Sequence, residues 1–230
     1  GAPHDVARRA GGRAVLCAVA SNLRDCAPFA PQNNPDLSAD KKKQWDGLYA
    51  AAGELQDGGR FDEAIASFEK AAALDDSHAG LHYRLGQYYM QKQEYNKSKE
   101  CFVRARELDT LRFRADNAIN NEIRKVAEEE SSRGVSLVDA VALFDDAAPT
   151  GIPGNDLFVD HVHFSFHGTY VLARAVAERI EKEMVGADAR DGAGAEAFLS
   201  ESDCAARLAY TPWNEYQILD MMAGRMRRPP

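Results

Sequence analysis

The pattern of apolar and polar positions between Lys41 and Leu111 repeats with a period of 34 residues. The matched positions are Phe68, Ala71 and Leu74 in the first copy and Phe102, Ala105 and Leu108 in the second. A period of this length predicts stacked two-helix repeats. In such repeats a small residue on each helix lets its partner helix approach closely, and an aromatic ring fills the remaining gap.

Further positions of the two copies agree with one repeat family. The second copy has Leu85, Gly86 and Tyr89 on its first helix, in the pattern L-G-x-x-Y, and the first copy has Ala51, Ala52 and Leu55. The segment resembles two tetratricopeptide repeats, although Asp76 and Thr110 stand where that family usually has proline. The resemblance implies that the segment binds a protein or peptide partner.

Two repeats leave apolar ends exposed and need a cap. We expect the helical stretch Phe113–Glu130 to stack on the second repeat in this role. Four tyrosines of the second repeat allow two interpretations, a concave peptide-binding groove or core packing, and the second is favoured because helical aromatic residues are usually buried. They are Tyr83, Tyr88, Tyr89 and Tyr95.

Outside the repeats, two short apolar runs predict buried parallel strands. The first is Ala14–Val19 and the second is Val135–Val138. Helical patterns lie around them, at Val6–Ala10, Ala115–Glu129 and Gly168–Met184. This alternation predicts an α/β sheet into which the repeats are inserted. Two strands cannot form a stable doubly wound sheet, so we expect an incomplete α/β portion whose other strands come from elsewhere.

These patterns divide the chain into four predicted parts. They are the first part of the α/β portion (1–40), the two repeats (41–111), the remaining α/β portion (112–186), and a linker with C-terminal helices (187–230). The linker is rich in Gly, Ala and Asp over Gly186–Ala197, and two closing helices are predicted at Ala197–Leu208 and Pro212–Arg227.

Composition and charge exclude several classes of protein. The chain has 28 Lys and Arg against 36 Asp and Glu, a net charge of −8, which argues against a nucleic-acid or anionic-membrane surface. The longest apolar run, Ala14–Ala20, is far shorter than the roughly 20 residues that span a bilayer, so no membrane span is expected. No C-x-x-C pair occurs among the four cysteines, which we expect to be free thiols, with a Cys17–Cys26 bridge as the alternative.

The sequence also gives no sign of a cofactor. Gly192–Ala197 matches G-x-G-x-x-A, but no strand precedes it, and a dinucleotide site requires one. We therefore expect no cofactor.

Candidate chemistry lies between Gly154 and Gly168. Asp160 and His163 place a carboxylate and an imidazole three residues apart on a loop that leads into a helix. A turn of this length can bring the carboxylate to one ring nitrogen, which fixes the tautomer and leaves the other nitrogen for a reacting hydroxyl. This arrangement is half of a hydrolytic triad.

The same stretch resembles the D-x-x-H block of SGNH, or GDSL-type, hydrolases. Val19–Asp25, Leu111–Asp116 and Arg207–Ala209 are also similar to bacterial proteins that join such a domain to tetratricopeptide repeats. The resemblance implies a flavodoxin-like α/β domain that acts on an ester-type substrate. It also implies that Asp160 and His163 are the acid and the base of a Ser-His-Asp triad.

The nucleophile of that family is missing. Neither Gly-Asp-Ser nor G-x-S-x-G occurs in the 230 residues, so we expect the chain to be the C-terminal portion of a longer hydrolase. Ser21 and Ser165 lack the glycine-flanked turn that presents a nucleophile. Asn22, just after the first strand, is a candidate substrate-binding residue.

A second candidate binding residue is Arg114. It belongs to a polar group at the start of the helix after the repeats, with Arg112, Asn117 and Asn120. Such a group could bind a substrate carboxylate or phosphate. The alternative is a solvated face that pairs with nearby acidic residues such as Glu122.

Three other interpretations of the histidine-rich loop are open. Asp160, His161, His163 and His167 could bind a divalent metal, although no second ligand cluster exists, and we expect no metal. His161 and His167 could instead be structural. The domain could also be a catalytically inactive homologue that serves only as a platform for the repeats. The main hypothesis is the C-terminal portion of an SGNH-like esterase or acyl transferase with inserted repeats. The alternative is a non-enzymatic repeat scaffold on a degenerate hydrolase fold.

Overall fold

The structure is a computed structural model that describes residues 11–185 and 198–226. These residues are mostly helical, with two short strands, β1 (Ala14–Cys17) and β2 (Val135–Val138). The helices are α1 (Ala39–Asp57), α2 (Phe61–Leu74), α3 (Ala79–Gln91), α4 (Tyr95–Leu108), α5 (Asn117–Glu129), α6 (Ala140–Ala147), α7 (Phe166–Val185), α8 (Glu201–Arg207) and α9 (Pro212–Met226).

Contacts divide the chain into two compact units. The repeat unit comprises residues 22–116 and 149–154 and contains α1 to α4. The strand unit comprises the described residues up to 21, residues 117–148, and those from 155 onward. The four-part division drawn from the sequence remains a prediction.

In the repeat unit, α1 pairs with α2 and α3 pairs with α4. Small residues make these pairs close: a Cβ added at Gly86 of α3 would lie 2.7 Å from a ring carbon of Phe102 in α4. Ser98 of α4 donates a hydrogen bond of 2.8 Å to the carbonyl of Gly86. The first pair encloses the buried Ala52 and Phe68. The structure therefore has the helical hairpins that the 34-residue period predicts.

The cap on the second hairpin differs from the expected one. Leu23 and Ile152, both buried, pack with Phe102. The helix expected to serve as the cap begins only at Asn117 and lies in the strand unit, where it contacts both strands. Apolar loop residues supply the cover, and Phe113 is exposed.

In the strand unit, β1 and β2 pair in parallel, with Ala14 opposite Val135 and Cys17 opposite Val138. Helices α5 and α7 contact both strands. These are the two strands predicted from the sequence, and they are the only paired strands among the described residues. The described residues form a mostly helical protein with two parallel strands, and the flavodoxin-like portion, which needs more strands, stays a prediction.

Helix α6 was not predicted from the sequence. Its N-cap is Asp139, whose side chain accepts hydrogen bonds from the backbone N–H groups of Val141 and Ala142. Its Phe144 is fully buried in a core with Leu157 and Phe158. An Asp followed by an apolar run is typical of a helix start, and this was the sequence signal that could have predicted the helix.

The C-terminal helices α8 and α9 lie within the two predicted helical stretches. The predicted helix Val6–Ala10 and the predicted linker Gly186–Ala197 lie outside the described residues. Among the helices of the described ranges, none combines the length and apolar character that a membrane crossing requires.

Candidate functional site

The Asp160–His163 loop is closed at its base by a short antiparallel contact. Phe158 bridges to Phe164, and the backbone N–H of Val159 donates to the carbonyl of His163 at 2.9 Å. The rings of Phe158 and Phe164 pack on each other and on Phe144, with centroids 5.1–5.4 Å apart. Because the aromatic residues at the base are packed together, the turn itself consists of residues 159–163.

Within this turn, the Asp160 carboxylate meets the His163 ring. Its Oδ2 lies 2.7 Å from His163 Nδ1, and its Oδ1 accepts the backbone N–H groups of Val162 and His163 at 2.9 and 2.8 Å. The Asp160 side chain is 5% exposed and the His163 side chain is 62% exposed. In the neutral ring Nδ1–H therefore donates to the carboxylate, and Nε2 remains able to accept a proton.

The environment of Asp160 favours its charged form. Burial acts to raise the pKa of this carboxyl, but hydrogen bonds from the backbone of His163 and Val162 and from the His163 ring lower it below its ordinary value. The neighbouring His161 ring, whose Nδ1 lies 3.7 Å from Asp160 Oδ1, lowers the pKa further. The pair is thus a fixed carboxylate and an exposed imidazole, which suits proton transfer.

The third histidine of this stretch, in the first turn of α7, contacts a different carboxylate. His167 Nδ1 lies 2.8 Å from Glu201 Oε2 at the start of α8. In the described part of the chain, no group of three or more His, Cys, Asp or Glu residues is placed to hold a metal ion. The structure therefore gives the metal interpretation no ligand set.

Of the two serines considered as nucleophiles, Ser165 is bonded to neighbouring backbone groups, and Ser21 is buried without a hydrogen-bond partner for its hydroxyl among the described residues. The Ser165 hydroxyl donates to the carbonyl of Asp156 and accepts the backbone N–H of Gly168, both at 3.1 Å, as a cap on α7. Ser21 is 3% exposed. Gly168 belongs to the first turn of α7, where the carbonyl of Leu157 occupies the space of a side chain.

The structure brings Asn22 and Arg114 together, but in the repeat unit. Arg114 Nη1 donates to the backbone carbonyls of Asn22 and Cys26 at 3.1 and 2.9 Å. The Asn22 side chain accepts the backbone N–H of Asp25 at 2.9 Å. Both side chains are buried, and Asp160 and His163 belong to the strand unit. These contacts hold the segment after β1 in place.

Other members of the polar group at residues 112–120 also have partners. Arg112 forms an ion pair with Asp116. The Asn120 amide exchanges two hydrogen bonds with the backbone of Val19, accepting at 2.7 Å and donating at 3.0 Å. Because the partners are 101 residues apart, no local sequence pattern could have indicated this pair.

The four tyrosines of the second repeat do not behave alike. Tyr83 packs on Phe102 and donates to the carbonyl of Arg24 at 3.1 Å, as core packing requires. Tyr88 and Tyr89 contact each other and lie beside lysine ammonium groups. Tyr95 is exposed. The tyrosines therefore do not form one groove.

A cleft of about 560 Å³ opens beside the first hairpin. Its aromatic wall is formed by the half-buried Tyr49 and His78 in front of the buried Trp45, with ring centroids 4.5–5.2 Å apart. Residues 31–35 form the opposite wall, and the ion pair of Lys42 and Asp46, 2.8 Å apart, lies at its edge. The cleft combines ring surfaces with amide groups, the two chemistries that a bound peptide uses.

Comparison with known families identifies the helical hairpins. Residues 54–93 match the model described as TPR repeat, and residues 79–110 match the model described as tetratricopeptide repeat. Residues 54–110 are therefore similar to tetratricopeptide repeats. These matches give no support to the hydrolase resemblance. No curated protein and no solved structure matches the chain.

Proposed function

We propose that this protein binds a protein partner through its tetratricopeptide repeats and acts as an interaction scaffold. The observation that carries the proposal is the pair of stacked hairpins at the residues that match the repeat models. Stacked helical repeats create extended surfaces that bind other polypeptides. The alternative drawn from the sequence, a non-enzymatic scaffold, is thus better supported than the hydrolase.

The open cleft beside α1 is the proposed binding surface. At the second hairpin, Leu23 and Ile152 already cover Phe102. The first repeat is acidic, with eight Asp and Glu against five Lys and Arg between Lys41 and Asp76. Opposite charge steers association and favours the correct partner, so we expect the partner segment to be basic.

Peptide selection tests this function. The whole chain is immobilised and challenged with displayed random 12-residue peptides, and selected peptides are resynthesised for binding measurements. We expect Lys- or Arg-rich peptides whose affinity falls about tenfold in Asp46→Lys, because the reversed charge repels them. Glu129→Lys is the matched control, since it makes the same charge change beside Lys125 in the strand unit.

The possible results show separately whether the protein binds peptides and whether it binds them in the cleft. If no peptide is selected, the proposed function is wrong. If peptides bind but Asp46→Lys and Glu129→Lys behave alike, the repeats bind partners elsewhere than in the cleft. Acidic selected peptides would refute the expected partner chemistry.

A second candidate function is ester chemistry, as the C-terminal portion of an SGNH-like esterase or acyl transferase. The 2.7 Å contact between Asp160 and the exposed His163 favours it. In this candidate, His163 accepts the proton of a serine supplied by a longer protein, and Asp160 orients the ring. The flavodoxin-like sheet and the roles of Asn22 and Arg114 in substrate binding belong to the same hypothesis.

A fluorophosphonate reagent, which labels activated serines, tests this candidate on the longer protein. We expect labelling of the wild type and its loss in His163→Ala, because the serine then has no base. His161→Ala is the control and should still be labelled. Labelling that persists in His163→Ala would refute the assigned base.

A further inference from the structure

A segment of the chain itself crosses the ends of both repeats. We call residues 27–37 the strap. At the second repeat, the carboxylate of Asp109 accepts the backbone N–H groups of Phe29 and Ala30 at 2.8 and 2.9 Å. Thr110 adds a hydrogen bond of 2.7 Å from its hydroxyl to the carbonyl of Ala30. The second repeat therefore binds both kinds of polar group in the strap backbone, two N–H groups and one carbonyl.

The first repeat holds the strap in the same way, four residues further along. The carboxylate oxygen Oδ2 of Asp75 accepts the backbone N–H of Asn34 and the side-chain amide of Asn33, both at 3.0 Å. Neither contact depends on a charged group of the strap. Three of the four N–H groups that the two carboxylates accept from the strap belong to its backbone, which any polypeptide presents, and the fourth belongs to the side chain of Asn33.

Asp75 and Asp109 are equivalent positions of the two repeats. They lie 34 residues apart, and each directly follows the second helix of its hairpin. Both are buried. Each also accepts the backbone N–H of the residue two positions on, Ser77 at 3.0 Å and Leu111 at 3.3 Å, which fixes the carboxylate. The same repeat position therefore presents the same acceptor to successive parts of one segment.

The spacing along the strap suits the spacing of the repeats. Four residues of extended chain reach about 13 Å. The strap meets Asp109 with Phe29 and Ala30 and meets Asp75 with Asn33 and Asn34, so a segment of this length reaches one such aspartate in each repeat. The strap is held mainly through its backbone N–H groups, and Asn33 is the strap residue whose side chain bonds to one of the two aspartates.

We propose that the position of Asp75 and Asp109 is a backbone-binding site, one per repeat, for an extended polypeptide segment, and that the strap is its built-in, exchangeable ligand. The proposal goes beyond partner binding in the cleft, because it names the two aspartates as a binding site and the strap, whose residues 31–35 also form one wall of the cleft, as their occupant. A competing segment must displace a ligand that is tethered to the site, so its apparent affinity is low until the strap is released.

The test uses a labelled copy of the strap. A fluorescein-labelled peptide of residues 27–37 is titrated against the whole chain and against Ala30→Pro/Asn34→Pro, and its anisotropy is measured. Proline has no N–H group, so the double variant loses one strap donor at each aspartate. We expect the peptide to bind the double variant at least tenfold more tightly than the wild type.

Dependence on the aspartates identifies the site. Adding Asp75→Asn or Asp109→Asn to the double variant should weaken peptide binding about tenfold, because hydrogen bonds to a charged acceptor are lost. Asp76→Asn is the control, since Asp76 is adjacent to Asp75 but exposed. A labelled peptide that carries the two proline substitutions itself should not bind.

Several results would overturn the proposal. One is a folded double variant, shown by far-ultraviolet circular dichroism, that fails to bind the peptide. Another is binding that is indifferent to both aspartates. If the double variant and each single proline variant unfold, the strap is an integral part of the fold rather than an exchangeable ligand, and the proposal is wrong. None of these results changes the outcome of peptide selection on the wild-type cleft.

Discussion

At the scale of single residues, the contact between Asp160 and His163 depends on a short stretch of chain. The three-residue separation predicted that the carboxylate could reach one ring nitrogen, and the structure places them 2.7 Å apart. The same turn lets Asp160 accept two backbone N–H groups. The geometry was therefore predictable from local spacing, whereas the catalytic role remains a prediction.

The tautomer of His163 gives a direct test of this geometry. We expect the neutral ring to carry its proton on Nδ1, because the carboxylate accepts from that atom, and to return to the mixture found in free imidazole in Asp160→Ala. Nitrogen-15 chemical shifts of the ring measure this change. His82 is the internal control, since its Nε2 donates to the carbonyl of Asp76 at 2.6 Å and its shifts should not move. An unchanged His163 would contradict the contact in solution.

Asp75 makes a residue-scale prediction about pH. Burial acts to raise the pKa of this carboxyl, but hydrogen bonds from Ser77, Asn33 and Asn34 lower it from 3.8 to about 2. Because the pKa is lower in the folded state, the stabilisation is present above pH 3.8 and is lost as the pH falls toward about 2. We expect the stability advantage of the wild type over Asp75→Asn to shrink by about 1–2 kcal/mol across that interval.

Urea unfolding at a series of pH values measures this difference. Asp76→Asn provides the control, because it makes the same substitution at the exposed neighbouring aspartate. If the difference for Asp75→Asn does not change with pH, the strap contacts do not stabilise the charged carboxylate.

At the scale of elements, close helix packing explains why the repeats form as predicted. The 34-residue period placed Gly86 and Phe102 at positions where a small residue faces an aromatic ring, and the structure confirms the two TPR hairpins. Helix α6 was missed even though Asp139 and the following apolar residues carried a start signal. The prediction that Phe113–Glu130 caps the second repeat failed for a different reason. The residues that cover this repeat, Leu23 and Ile152, are distant in sequence from its helices.

Two glycines of the repeats should respond oppositely to alanine. Gly86→Ala should destabilise the protein by about 1–3 kcal/mol, because the new methyl group would overlap the buried Phe102 ring. Gly53→Ala should leave stability unchanged or raise it by up to about 1 kcal/mol, since nothing lies within 4 Å of its Cβ position in helix α1. The free energies of unfolding come from urea titrations. Equal effects at the two sites would contradict the close approach of α3 and α4.

At the scale of the whole molecule, the chain forms two compact units whose segments alternate along the sequence. Each unit has its own buried core, with Phe68 in the repeat unit and Phe144 in the strand unit. Because local stability follows such cores, we expect the units to be destabilised separately.

Hydrogen exchange can distinguish the units. Phe144→Ala removes a fully buried ring and should cost about 3–5 kcal/mol, so that exchange rises in α6 and α7 while α3 and α4 stay protected. Gly86→Ala should produce the opposite pattern. If either substitution accelerates exchange equally throughout the described helices, the chain unfolds as a single cooperative body.

The sequence by itself determined the features that depend on neighbouring or regularly repeated residues. These are the two hairpins, the two strands and the approach of Asp160 to His163, each set within a few residues or by a fixed period. Only the tertiary structure decided which distant groups meet, such as Asn120 with Val19 and Asp109 with Phe29. These partners lie 101 and 80 residues apart, and their meeting depends on how all the intervening elements pack, which no local spacing records.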